Sequence, residues 1–99
     1  MQELTISGET TVGGAATEIT LANHPPIAAI MAARALITNS DGVATQTDQA
    51  LSVVTDTPDA DGEIQLTAVN KFKLFLTTAL KEADLVFLRI AENGSLVKP

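Results

Sequence analysis

The densest set of oxygen ligands in the sequence is the run Asp56, Asp59, Asp61 and Glu63. Oxygen-rich turns of this kind hold hard cations such as Ca²⁺. The EF-hand spacing gives a direct check, because its loop needs a Gly at position six, a charged first ligand and a bidentate Glu at position twelve. With Gly62 at six, Thr57 falls first and Ala68 twelfth. With Gly42 at six, Ile37 falls first and Asp48 twelfth. Neither frame supplies the ligands. The run Asp56–Glu63 therefore reads as a solvated hairpin turn, with cation binding left open.

His24 is the single histidine, and it precedes Pro25 and Pro26. A general base needs an orienting partner and a nucleophile beside it. No Gly-x-Ser-x-Gly elbow and no P-loop occurs, and Gly8, Gly13 and Gly14 lack the spacing of a dinucleotide fingerprint. A structural loop histidine is the simpler reading. Arg34 and Arg89 each interrupt an apolar run. They read either as inter-subunit ion pairs or as side chains that snorkel to water along their own stems. The carboxylates give no reason to choose a catalytic pair. No catalytic, cofactor-binding or metal-ligating residue is assigned, and the chain is expected to be neither an enzyme nor a cofactor carrier.

Charge and composition narrow the partners. Six Lys+Arg stand against twelve Asp+Glu, a formal net charge of −6. That field repels nucleic acid and anionic membrane surfaces, which are bound through Lys and Arg. There is no Trp or Tyr, and Phe72, Phe75 and Phe87 are the only aromatic side chains of that group, so a base-stacking platform is missing. There is no Cys, hence no disulfide frame, thiolate metal site or Cys nucleophile. The first residues lack a basic and then apolar leader, and no apolar run approaches the length of a membrane helix. These features leave the compartment undecided.

The elements that would carry these residues look like strands. At 99 residues the chain is one domain, 1–99. Residues 3–7, 17–21, 51–55, 63–68 and 72–76 alternate or are β-branched, and 85–90 is apolar on both faces. Phe72, Leu74 and Leu76 face inward, with Lys71 and Lys73 outward as guards against edge pairing. Asp41-Gly42, the segment 56–62 and Asn93-Gly94 read as turns, and 78–84 as a loop or a single helical turn. The run 27–38 fits both periods. Its alanines favour a helix, whereas as a strand Ile27, Ala29, Met31, Ala33, Ala35 and Ile37 form one apolar face. The strand reading is preferred because the rest of the chain is β-like, and the helical reading stays open. The fold class is all-β, a small antiparallel β-sandwich or barrel of about six or seven strands.

Two strands apolar on both faces want a second cover, supplied by loops, a second subunit or a neighbouring protein. The expected work is subunit–subunit association, as a homo-oligomer or with other structural proteins. A second reading is a small β-barrel binding module whose apolar pocket is lined by Phe72, Phe75, Phe87 and Met31.

Leu51–Ser95 resembles segments of small phage virion proteins of the β-sandwich kind. The similarity rests on the turn and strand Thr57–Leu66, the strand at 72–76, the final apolar strand ending Glu92–Ser95, and the approach His24-Pro25-Pro26-Ile27. The family's final strand often carries a Tyr where Arg89 and Ile90 stand here. The resemblance implies a head-decoration, fibre or tail-associated structural role without catalysis, with other virion proteins as partners and a virion or the host cytoplasm as the expected location. It carries over no functional residue.

Overall fold

The structure, a computed structural model, describes residues 2–21, 26–38 and 46–92. His24 and Pro25, the Asp41-Gly42 turn and Asn93-Gly94 lie outside the described residues. Seven strands are present: β1 (Gln2–Ser7), β2 (Ala15–Thr20), β3 (Ile27–Thr38), β4 (Gln46–Val53), β5 (Glu63–Ala68), β6 (Lys71–Leu76) and β7 (Leu85–Glu92). The all-β expectation holds, and 27–38 is a strand. The strands form one curled mixed sheet in the order β1-β7-β3-β4-β5-β6-β2. One short ladder departs from the antiparallel pattern: β4 runs parallel to β5 through Ser52↔Glu63 and Val53↔Ile64. Among the described residues, no helix is long and apolar enough to cross a membrane.

The sheet behaves as two halves folded over a shared core. One half is β1-β7-β3 with the start of β4, and the other is the end of β4 with β5-β6-β2. Strand β4 passes between them, pairing Ala33↔Leu51 with β3 and then Ser52↔Glu63 with β5. Ile27 N–H of β3 also donates to Val69 O, after β5, at 2.9 Å, and a further link is a pair of chain segments running side by side. Gly8 N–H donates to Glu82 O at 3.2 Å, Thr11 N–H to Leu80 O at 3.2 Å, and Gly14 N–H to Leu76 O at 2.9 Å. Buried Thr11 Oγ1 also accepts the Leu80 N–H at 2.7 Å. So the β1–β2 connection follows the β6–β7 connection around the fold, and 78–84 is a loop rather than a helical turn.

The core draws one side chain in two from most strands: Ile6, Ile19, Ile64, Phe72, Leu74, Leu76, Val86, Leu88 and Ile90 are all buried. Strand β3 breaks that rule. Its pairing with β7 shifts between Ile27 and Ala29 and again between Ile30 and Ala32. Ala28 and Met31 are therefore the extra residues of two bulges. The inward set becomes Ile27, Ile30, Ala35 and Ile37, and Met31 is turned out, 53% exposed. The expected unbroken face through Ala29 and Met31 is corrected accordingly: each bulge resets the alternation by one residue.

Gly62 stands where the two halves meet. Its N–H donates to Phe75 O at 2.9 Å, and its carbonyl accepts the Ser52 N–H at 2.7 Å. It has φ +81°, and a Cβ there would lie 2.9 Å from Gln49 Nε2 and 3.5 Å from Ala50 O. The Gln49 amide can move, but the left-handed backbone remains costly for any other residue. Gly62→Ala is expected to lower stability by about 1–2 kcal/mol, read as a lower urea midpoint with an unchanged slope.

Candidate interaction surface

The acidic turn is built as a brace for that junction. The Asp59 and Ala60 N–H groups donate to Glu63 Oε1 at 3.0 and 3.2 Å. Asp61 Oδ1 accepts the Thr77 N–H at 2.8 Å, and its Oδ2 accepts Gln49 Nε2–H at 3.1 Å. The Asp59 N–H is the main cause that holds the Glu63 carboxyl below its ordinary pKa. Two of the four carboxylates thus cap backbone N–H groups within the turn and between β4, the turn and the end of β6. Among the described residues no three His, Cys, Asp or Glu side chains are grouped as metal ligands.

A second carboxylate cluster was not legible as a cluster. Asp84, in the loop before β7, is fully buried. Its Oδ1 accepts the Thr38 N–H at 3.0 Å and the Thr38 hydroxyl at 2.7 Å, and its Oδ2 accepts the Lys81 N–H at 2.9 Å. Lys81 Nζ completes the group by donating to Thr38 O at 2.9 Å. Burial pushes the Asp84 pKa up, but the Thr38 hydroxyl, the Lys81 and Thr38 N–H groups and the Lys81 charge outweigh it. The carboxyl is held below its ordinary value. With every contact made to its own chain, this is a latch between the end of β3 and the start of β7.

The two arginines lie on the outer face of the β1-β7-β3 half. Arg34 Nη1 meets Asp48 Oδ2 at 2.8 Å, and its guanidinium lies 4.3 Å from the Phe87 ring centroid. Arg89 Nη2 meets Glu3 Oε1 at 3.4 Å. Both therefore pair within the chain, on exposed ground. Such pairs contribute up to about 1 kcal/mol each. Arg34 also supplies part of the cover that the outer face of β7 needs, and Phe87 beneath it is half-buried. Around these residues runs an open groove of about 380 Å³, with Glu3, Thr5, Ala32, Arg34, Phe87 and Arg89 among its lining. The four residues considered for an apolar pocket do not gather there. Phe72 is in the core and Met31 is exposed. Phe87 and Phe75 are half-buried in β7 and β6, on different halves of the sheet.

The sheet's two ends are β1 and β2, consecutive in the chain and at opposite edges. Both pair with their one neighbour without a register shift. Neither contains Lys or Pro, and each carries a single charge, Glu3 or Glu18. Lys and Pro on the strand, and bulges, are common means by which sheet proteins blunt an edge. Lys71 and Lys73, expected as edge guards, sit on β6 between β5 and β2, so they guard no edge. Large apolar side chains also stand out in water: Val12, Met31, Val53 and Val69. No protein-family model matches the chain, and no curated protein or solved structure matches it either.

Proposed function

We propose that this chain is a non-enzymatic structural subunit that works by joining copies of itself through its sheet edges. The observation that carries the reading is that, among the described residues, β1 and β2 end the sheet as regular strands without Lys, Pro or a bulge. Unpaired N–H and C=O groups on a regular edge are a template for a further strand. The finer reading, a phage or prophage virion component, draws its support from the resemblance of Thr57–Leu66 and the strands after it to virion β-sandwich proteins.

Light scattering on the purified full chain tests the association. A species of at least twice the 10.3 kDa chain mass is expected at micromolar concentration. A monomer at every concentration up to millimolar overturns the reading. The groove beside Phe87 favours the second reading, a small-ligand module. Under that reading the protein is monomeric and an apolar fluorescent probe is quenched or enhanced on binding, a response that Phe87→Ala removes.

A further inference from the structure

We infer that two copies join through their β1 edges, antiparallel, about a two-fold axis that passes at Thr5. The inference rests on the proposed role in self-association and specifies which edge, which direction and which register.

The choice of edge follows from what is still wet. On the inner side of β1, Leu4 is only half-buried although it packs against the core, and Ile6 is 8% exposed. A strand laid beside β1 covers that remaining apolar area. Within β2 the equivalent gain is absent, and the half-buried Leu21 stands just past the strand's last residue. Ile19 is already 2% exposed, and its half-buried neighbour Thr17 has its hydroxyl engaged, accepting the Val12 N–H at 3.0 Å. The charge on β1 is also balanced in place, because Glu3 faces Arg89 of its own chain. The edge can therefore meet its own copy despite the net charge of −6.

Register follows from the two-residue period of a strand. Residues opposite each other must share a face, so a two-fold axis passes at a residue. At Glu3 it would set two carboxylates directly opposite, which is unfavourable. At Leu4 it sets polar Gln2 opposite the partner's Ile6. At Thr5 it pairs Leu4 with the partner's Ile6 on the inner face, twice by symmetry. On the outer face it pairs Thr5 with the partner's Thr5 and Glu3 with the partner's Ser7. An axis at Ile6 would leave Leu4 opposite the partner's Gly8. Only the Thr5 register gives both Leu4 and Ile6 an apolar partner while keeping the carboxylates apart. The contact is isologous, so it closes as a dimer and leaves both β2 edges free for further assembly.

Because the chain has no cysteine, engineered disulfides report the geometry directly. Opposed Cα atoms of antiparallel strands lie about 4.5–5.5 Å apart, inside the range of about 4.4–6.8 Å that a disulfide spans. Under oxidised glutathione, Thr5→Cys is expected to form covalent dimers readily. Glu3→Cys and Ser7→Cys should each do so poorly alone and well when mixed. Dimers from Glu3→Cys alone indicate another register or a parallel pair and overturn the inference. So does an unaltered chain that multimerises while Thr5→Cys stays uncrosslinked and Ala16→Cys on β2 crosslinks, an outcome that leaves self-association standing. An unaltered chain that stays monomeric removes both. Should a cysteine variant not fold, hydrogen exchange of the unaltered chain decides. Protection of residues 2–7 that rises with protein concentration supports the β1 contact, and protection independent of concentration in a multimeric sample overturns it.

Discussion

Asp84→Ala is expected to lower the unfolding free energy by about 3–5 kcal/mol, a large share of the roughly 5–15 kcal/mol typical of a domain. The carboxylate accepts from two backbone N–H groups and one hydroxyl in a fully covered place. Alanine leaves the Thr38 and Lys81 N–H groups without that acceptor. Chemical denaturation at neutral pH measures the loss. The charge itself is tested by Asp84→Asn, whose amide nitrogen meets donors where an oxygen stood. The folded-state pKa of Asp84 lies below the ordinary value of 3.8. Its contribution is therefore complete above that value and disappears as pH falls through the depressed folded value. The difference in stability between the unaltered chain and Asp84→Asn should be constant from neutral pH down to about pH 5 and shrink below about pH 4. A difference that persists unchanged at pH 2 would show that the carboxylate's charge is not what holds the latch.

Phe72→Ala should be comparably damaging, at about 3–5 kcal/mol. Phe72 is fully buried on β6, opposite Ile19 of β2 and Leu66 of β5. Its removal opens a cavity where three strands meet, and the backbone ladders on both sides resist collapse into it. Phe75 is the informative contrast. It lies on the same strand, three residues on and facing the other way, half-buried opposite Ala16 and Glu63. Phe75→Ala is expected to cost less than half as much in the monomer. Urea midpoints of the two variants, compared at equal slope, make the check. Equal costs would mean that the outer face of β6 is covered as thoroughly as its inner face.

Strands whose inward side chains alternate without interruption were readable from residue types alone. Glu63–Ala68 and Lys71–Leu76 have the bounds that their alternation implies. The run Ile27–Thr38 was ambiguous for a physical reason. The bulge at Ala28 places Ile27 and Ile30 three apart on the same face, and the bulge at Met31 does the same for Ile30 and Ala33, a spacing that belongs to helices, inside a strand. The first half of β4, Gln46–Ala50, left no apolar trace because it is mostly exposed and is held by its ladder with β3. The acidic turn was correctly placed as a turn, but its bracing role depends on Gln49 and Thr77, which only the folded sheet brings to Asp61. Asp84 was hidden more deeply. Its partner Thr38 is 46 residues away, and an aspartate ahead of an apolar run looks like any loop acid. Arg34 and Arg89 were singled out as interruptions, yet their carboxylate partners Asp48 and Glu3 follow from strand register rather than from sequence proximity.

The placement of β1 and β2 at opposite ends of the sheet has a consequence for biosynthesis. Of the described strands, the first to leave the ribosome pairs with β7, and the second pairs with β6. Neither can acquire its neighbour until most of the domain has been translated. The nascent chain therefore carries two orphan strands while most of this sheet is synthesised, and cooperative closure must wait until residues near 90 emerge from the exit tunnel.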